Sequence, residues 1–348
     1  MFRKVLAISA ATFLVAGCST NGNDGSPSGP VAVTATTNVW GSIAEFIGGD
    51  MVEVTSIVDQ PTIDPHSYEP SARDLLAVQD AEMVLVNGGG YDAFMEGLVD
   101  QAEGSRVVLR AVAGENDHDH SDEDHAHEED EDHAHEDDEE HSHEGEDHAH
   151  GDDEAGHDHS GHSHANGNEH VWYDFHVVEE VADQLLASLT QLRPNSAGDF
   201  QANHQIFVDE LEVLEVRLEA LREKALGYGV FSITPLASIM MEEAGFEEMA
   251  PTDLLEAVEE ERDISPAAIA EAEAIFEDPE LLLVITNDQV TDTQMQSIAD
   301  MAASKGLPVI GLAELIPNED WDYLDWMANN LDVLMATVDQ ALPEQIQN

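Results

Sequence analysis

The chain has 348 residues, of which 75 are Asp or Glu and only 11 are Lys or Arg, so its formal net charge is −64. A balance this acidic argues against nucleic acid or an anionic membrane surface as a partner and suits a protein that concentrates cations. The single cysteine excludes an internal disulfide, so metal ligands must come from His, Asp and Glu.

The N-terminus has the pattern of a bacterial secretion signal. Arg3 and Lys4 precede a short apolar run over 5–15, and small residues then lead to Cys18. This ending looks like a lipobox, which implies cleavage after residue 17 and a lipid on Cys18. The Gly/Ser/Asn/Pro-rich segment 18–30 predicts a flexible tether. We therefore expect an extracytoplasmic protein anchored to the cell membrane by lipid, on the periplasmic side or the outer face.

The next part of the chain alternates strand-like and helix-like segments. The predicted strands are 31–36, 51–58, 82–87 and 106–112, and the predicted helices are 39–47, 71–81 and 91–101. Ser71 and Asp74 form a capping-box variant at the start of the second helix. Alternation of this kind indicates a parallel sheet flanked by helices.

A His-rich acidic tract follows. Residues 115–169 contain 14 histidines and 24 Asp/Glu, with no Lys, no Arg and no large apolar side chain. The histidines are His118, His120, His125, His127, His133, His135, His141, His143, His148, His150, His157, His159, His162 and His164. An acidic solubilising tract would need no histidine, whereas imidazole and carboxylate are the ligands that zinc and its neighbours prefer. We expect 115–168 to be a solvated loop with several weak auxiliary metal sites, because it cannot bury apolar surface.

Two further histidines lie in ordered contexts. Pro65 and Pro70 restrict the backbone around His66, which follows the second predicted strand. His170 comes directly after the tract, beside Trp172. The carboxyl end of a strand in an open α/β sheet is where ligands usually bind, so both histidines are candidate metal ligands.

The longest predicted helix runs over 194–226, with apolar residues at three-to-four spacing along one face. At 1.5 Å per residue it would reach about 45 Å, enough to run through two lobes. A coiled-coil dimer is the alternative, but the apolar stripe is shorter than that structure requires. We expect His204 on this helix to be structural, and His176 before it to be a helix-start residue rather than a spare ligand.

The rest of the chain repeats the alternation of strands and helices. The predicted strands are 230–234, 281–286 and 308–312, and the predicted helices are 235–244, 265–276, 291–304 and 320–342. The predicted fold is therefore α/β, with two lobes that each hold a small, mostly parallel sheet flanked by helices, joined by one long rigid helix. The domains are a signal peptide (1–17), the tether, an N-terminal lobe (31–193), the linking helix (194–226) and a C-terminal lobe (227–348).

Segments 37–40, 64–70 and 169–174, with Asn195 and Asn203, resemble the metal-specific solute-binding proteins of bacterial ABC importers, the zinc/manganese cluster. The resemblance covers nearly all of the chain after Cys18. It implies a periplasmic-binding-protein-like fold with metal bound between two lobes. It also implies delivery of that metal to a membrane permease with a cytoplasmic ATPase. Zinc-type members carry an acidic His-rich loop at this place, which favours Zn2+ over Mn2+.

The resemblance places the remaining ligands in the C-terminal lobe, where this chain departs from the pattern. Thr234 stands where a histidine or an acidic residue is usual, and Asn287, with Asp288 beside it, stands where the family has Asp or Glu. Zinc needs more than the two nitrogens of His66 and His170. The third ligand is then Asp288, or a water held by Thr234 or Asn287, or a tract histidine such as His164, in that order of preference.

The sequence favours a lipid-anchored metal receptor that acts as a monomer over two other functions. A zinc hydrolase is disfavoured, since the chain has no His-Glu-x-x-His helix motif and no Gly-x-Ser-x-Gly elbow. The alternative is a surface metal-buffering or adhesion lipoprotein whose His-rich tract is the main metal-binding element.

Overall fold

The structure, a computed structural model, describes residues 29–112, 168–260, 262–289 and 292–342. The predicted signal peptide, Cys18 and the fourteen tract histidines lie outside the described residues.

The N-terminal lobe is built on a four-stranded parallel sheet in the order β2-β1-β3-β4. Its elements are β1 (Val31–Thr37), α1 (Asn38–Gly48), β2 (Val52–Val58), α2 (Ala72–Asp80), β3 (Met83–Val86), α3 (Ala93–Gln101) and β4 (Val107–Arg110). β1 and β3 are almost wholly buried, as expected for parallel strands covered on both faces. The predicted capping box is present at α2. The Ser71 side chain accepts the backbone N–H of Asp74, and the Asp74 side chain accepts the backbone N–H of Ser71.

Two helices precede the C-terminal lobe. α4 (Phe175–Leu192) begins at Asp174, whose carboxylate accepts the backbone N–H groups of His176 and Val177. α5 (Ala197–Ala225) has 29 residues and buries one face along its whole length. α5 packs against α1 and α4 on one side and against the last helix of the chain on the other, so it belongs to both lobes.

The C-terminal lobe repeats the arrangement with a parallel sheet in the order β6-β5-β7-β8. Its elements are β5 (Gly229–Ser232), α6 (Ser238–Glu243), β6 (Glu247–Glu248), α7 (Thr252–Glu259), α8 (Pro266–Ile275), β7 (Leu281–Asn287), α9 (Thr293–Ser304), β8 (Val309–Leu312) and α10 (Tyr323–Ala341). α10 returns from this lobe to pack on α5 and α1.

The apolar core is divided unequally. The larger cluster runs without a break from β1 through α4 and α5 to α10 and one face of β7, and so spans both lobes. The smaller cluster lies under α7, α8 and α9, on the other face of the C-terminal sheet. The two lobes therefore share most of their buried apolar surface.

The predicted architecture of two parallel-sheet lobes joined by a long helix is confirmed. α4, β6 and α7 lie outside the predicted elements. In the part of the chain that the structure describes, no helix combines the length and the apolar character needed to cross a bilayer.

Candidate metal site

His66 lies in the loop after β2, at the carboxyl end of the N-terminal sheet. Its backbone N–H donates to the side chain of Asp64 over 2.9 Å, which fixes the turn in which Pro65 is buried. The imidazole stands edge-on to the ring of Tyr91, with 4.8 Å between centroids, and its side chain is 26% exposed. The proline-bounded loop thus presents one partly exposed imidazole to the space between the lobes.

His170 is held more tightly. It is only 4% exposed and lies against the rings of Tyr91 and Trp172. Asn168 fixes it twice, because its side-chain oxygen lies 2.9 Å from the His170 backbone nitrogen and 2.8 Å from Nδ1. Burial lowers the pKa of His170 to about 4. The ring is therefore neutral at pH 7, and a ring nitrogen can bind metal without first losing a proton.

Glu314 enters from the C-terminal lobe, two residues after β8. It is 2% exposed, and Asn287 donates to its Oε2 over 3.0 Å. The loop is clamped by Gln289, whose Oε1 accepts the backbone N–H groups of Glu314 and Leu315 and whose amide donates to the Leu315 carbonyl. The carboxylate is thus positioned by neighbouring side chains before any ligand arrives.

The three side chains meet in the cleft between the lobes. One potential ligand atom from each of His66, His170 and Glu314 lies within 4.8 Å of the others. His66 Nε2 lies 3.1 Å from Glu314 Oε1. The other nitrogen of His66, Nδ1, lies 2.9 Å from Glu169 Oε1. Two imidazoles and one carboxylate are a recognised ligand set for zinc.

The two carboxylates control the charge of His66. Burial acts to lower the pKa of His66, but hydrogen bonds and charge from Glu169 and Glu314 outweigh it and raise that pKa to about 10. Burial also acts to raise the pKa of Glu314, yet the hydrogen bond from His66 and the nearby histidines lower it. Without metal, the site therefore holds a protonated imidazole between two carboxylates.

The cleft has a volume of about 410 Å³ and is lined by residues of both lobes, among them His66, His170, Thr234, Glu259 and Glu314. Burial, followed by the negative charge of Glu169, raises the pKa of Glu259 to about 7. This negative cleft, large enough for an ion with bound water, favours a cation.

Of the predicted ligands, the structure brings His66 and His170 together. Thr234 and Asn287 both line the cleft, where Thr234 caps a helical turn through a 3.4 Å bond from the Leu236 N–H and Asn287 bonds Glu314. Asp288 does not join the cluster and is not among the residues that line the cleft.

Glu314 was not among the residues predicted from the sequence, whose first choice for the third ligand, Asp288, lies one strand earlier. The Asp288 backbone N–H donates to the Leu312 carbonyl, and its side chain lies beside Gly311 of β8. A signal for Glu314 existed, since it follows a predicted strand, as Asp288 does.

The remaining predicted residues lie elsewhere. His204 is buried in α5, with Nε2 2.7 Å from Asp183 of α4. His176 is the second residue of α4, and its side chain is 48% exposed.

Hydrogen bonds lock the lobes together on both sides of Glu314. Tyr173 donates to the Ala313 carbonyl over 2.6 Å. Asn38 donates to the Ile316 carbonyl and accepts the Ile316 N–H, at 3.0 and 3.2 Å. The segment that carries the carboxylate is therefore bonded to the N-terminal lobe immediately before and after the site.

Comparison with curated proteins finds metal-binding lipoproteins. The chain is 37% identical over 107 residues to the manganese-binding lipoprotein MntA of Bacillus subtilis, covering 31% of this chain and 34% of MntA. It is 23% identical to the zinc-binding lipoprotein AdcA of Streptococcus pneumoniae, covering 97% of this chain and 61% of AdcA. The chain thus spans about a third of the first relative and three fifths of the second.

Among solved structures, the periplasmic zinc-binding protein TroA of Treponema pallidum matches with a TM-score of 0.63 at 16% identity, covering 89% of this chain and 99% of TroA. This likeness shows the fold. The family model described as "ZnuA: Zinc-uptake complex component A periplasmic" matches residues 33–337. The chain therefore belongs to the ZnuA family.

Proposed function

We propose that this chain captures a divalent metal ion, zinc in preference to manganese, between its two lobes and delivers it to an ABC permease. The observation that carries the proposal is the meeting of His66 and His170 from one lobe with Glu314 from the other. Ligands from both lobes make the bound ion a bridge between them.

The ring nitrogens that would bind the ion follow from the hydrogen bonds. Asn168 engages Nδ1 of His170, which leaves Nε2 for the metal. Glu169 engages Nδ1 of His66, which leaves Nε2 on the side of Glu314. A carboxylate behind a metal-bound imidazole fixes its tautomer and raises its basicity.

The distances suit a small ion. Tetrahedral zinc with bonds of about 2.0–2.2 Å separates its ligand atoms by about 3.3–3.6 Å. The ligand atoms here lie within 4.8 Å of one another, so side-chain shifts of about 1 Å complete the geometry. We place Glu314 in the third position, in preference to Asp288, and a water of the cleft in the fourth.

Metal preference is argued from the ligand set. Imidazole nitrogen suits zinc, whereas manganese favours sites richer in oxygen. The His-rich tract points the same way, and we propose that it serves as a multi-site, low-affinity collector. The name of AdcA supports zinc and the name of MntA supports manganese.

We also propose that Cys18 carries the lipid that anchors the receptor, which acts as a monomer and not as an enzyme. The lipobox-like ending of the signal supports this proposal, as do relatives named lipoproteins. An anchored receptor searches for its permease in two dimensions, at a raised effective concentration.

The test compares Glu314→Gln with Asp288→Asn, which make the same carboxylate-to-amide change on neighbouring strand ends. Zinc affinity is measured by competition with a strong chelator, so that only the tight site reports. We expect Glu314→Gln and His66→Ala to weaken zinc binding by more than about 100-fold, because each removes a direct ligand. Asp288→Asn should leave the affinity unchanged.

If Asp288→Asn weakened zinc binding and Glu314→Gln did not, Asp288 would be the third metal ligand. If the tight site survives both His66→Ala and Glu314→Gln, the cleft is not the primary site, and the buffering lipoprotein becomes the better hypothesis.

A further inference from the structure

A second group of potential metal ligands lies outside the cleft, where α4 crosses α5. His176 and Glu179 are one turn apart on α4, so they share a face of that helix. Glu215 approaches them from α5, with its Oε1 3.8 Å from His176 Nδ1. One ligand atom from each of the three lies within 4.8 Å of the other two, the same spacing as in the cleft.

The surroundings of this His176 cluster are negative. Asp174 precedes α4, and Glu243 ends α6 close enough for the charges of Asp174 and Glu215 to act on it. Burial raises the pKa of Glu215, and the charges of Glu179, Glu212 and Asp174 raise it further, against the lowering effect of His176. Carboxylates crowded in this way are stabilised by a cation.

The basic side chains of α5 bond elsewhere. Arg217 and Lys224 pair with Asp332 and Asp339 of α10. Arg222 donates to the backbone carbonyl of Glu243 over 2.8 Å. The charge of Arg222 also acts on the Glu243 carboxylate, whose pKa it lowers.

The start of α4 carries a partial positive charge that opposes a bound cation. Asp174 offsets it, because its Oδ1 accepts the N–H groups of His176 and Val177 at 2.9 and 3.2 Å. His176, Glu179 and Glu215 together supply one imidazole and two carboxylates, a set that first-row divalent metals accept.

We propose that His176, Glu179 and Glu215 form a second divalent-metal site, open to solvent and separate from the cleft. It would take a zinc or manganese ion with water in the remaining positions. Bound there, the ion ties α4, which follows directly from the His170 segment, to the helix that joins the lobes.

The test uses the full chain with zinc chloride alone as the probe. Anomalous difference maps of zinc-soaked crystals should show one peak between His176 and Glu215 and another between His66 and Glu314. His176→Ala and Glu215→Gln should each remove the first peak and keep the second. Glu212→Gln is the matched control, since it removes the same charge one turn earlier on α5 and should keep both peaks.

Zinc titration in solution complements the crystal experiment. The His-rich tract is present in every variant, so it contributes the same weak zinc binding to each titration. Glu215→Gln should weaken one binding event at least about tenfold relative to the wild type and Glu212→Gln. A wild-type map with density in the cleft and none at the His176 cluster would overturn the proposal. So would titrations in which Glu215→Gln and Glu212→Gln behave alike.

Discussion

At the scale of single residues, a proton and a metal ion compete for the imidazole of His66. Its pKa in the folded protein is about 10, above the ordinary value of 6.5. The sign follows from linkage. The pairing of protonated His66 with Glu169 and Glu314 stabilises the metal-free fold fully below pH 6.5, and this contribution is lost as the pH rises through 10. An ion that binds His66 must displace this proton.

We therefore predict that zinc affinity at the tight site keeps rising above neutral pH, by about tenfold per pH unit between pH 7 and 9. The measurement is chelator competition across that range. Ordinary histidines, with pKa values near 6.5, would level off by about pH 7.5. A plateau above pH 7.5 would show that His66 releases no proton on binding.

Glu169→Gln provides the control for this pH profile. The variant removes one of the two carboxylates that raise the pKa of His66, so the affinity should level off at a lower pH than in the wild type. An unchanged profile would leave Glu314 as the sole cause of the raised pKa.

Glu243 gives a separate prediction about stability. Burial, assisted by the charges of Asp174 and Glu215, raises its pKa to about 8. An acid whose pKa is raised on folding stabilises the fold while it is protonated, and this contribution is lost between pH 4.5 and 8. Glu243→Gln should raise the free energy of unfolding by about 1–3 kcal/mol at pH 8.5 and by much less at pH 5.

Denaturant unfolding at the two pH values, without metal, measures this difference. Glu242→Gln, at the exposed neighbouring position, removes one of the smaller charges that raise the pKa of Glu243, so its gain at pH 8.5 should be well below that of Glu243→Gln. Equal gains at pH 5 and pH 8.5 would mean that Glu243 acts through packing rather than charge.

The candidate site could be predicted from the sequence only in part. His66 and His170 stand out because histidine is rare outside the tract and both have distinctive neighbours. Glu314 is one of 75 acidic residues and has no motif around it. Its burial and its bond from Asn287 depend on how β7 and β8 pair, which the sequence does not reveal.

At the scale of elements, the turn after β3 leads to Tyr91, whose ring lies against both His66 and His170. Gly88 has a φ of +79°, and a Cβ added there would lie 2.5 Å from the backbone oxygen of Val112. We predict that Gly88→Ala destabilises the protein by about 1–3 kcal/mol, because an L-residue is strained at this φ and the obstacle is backbone. Denaturant unfolding is the measurement.

Gly97 offers the matched substitution. It lies in the middle of α3, and an added Cβ would meet nothing within 4 Å. Gly97→Ala should stabilise the protein by about 0.5–1 kcal/mol, because alanine loses less entropy than glycine on entering a helix. Opposite signs for the two substitutions are expected, and equal effects would contradict the assigned turn geometry.

The three elements that were not predicted differ in how strong a signal the sequence carries for them. α4 has buried apolar residues at helical spacing, so its pattern was present in the sequence. α7 has only eight residues, two of them buried, which is short for a periodic signal. β6 is two exposed residues, and only its pairing with β5 defines it.

At the scale of the whole molecule, the division of the core predicts how the protein opens. Phe276 lies in the smaller cluster, 4.8 Å from Phe231 between ring centroids. Phe207 lies in the larger cluster, between Phe46 of α1 and Tyr323 of α10. Phe276→Ala and Phe207→Ala should each cost about 3–5 kcal/mol, yet they should loosen different parts of the chain.

Hydrogen exchange read by mass spectrometry separates them. Phe276→Ala should speed exchange in α7, α8 and α9 and leave β1 and β3 protected, because the smaller cluster can open locally. Phe207→Ala should speed exchange in both lobes. The same pattern in both variants would show that the lobes do not share one core.

The overall fold was accessible from the sequence because its two signals are long-range and repeated. Four strands alternate with helices before the tract, strands and helices alternate again after α5, and α5 itself carries one unbroken apolar stripe. A fold predicted from such a repeated pattern does not change when the boundary of one strand or helix is misplaced. A single candidate ligand such as Glu314 has no repeated pattern of this kind.

The bonds on either side of Glu314 have a consequence for the speed of release. Tyr173 and Asn38 attach the Ala313–Ile316 segment to the opposite lobe, so the two halves cannot part there without breaking these three hydrogen bonds. An ion held at His66, His170 and Glu314 would then leave by exchanging one ligand at a time. Its rate of departure would rise with the concentration of incoming donor groups, and the acceptor, not the receptor, would set the pace of transfer.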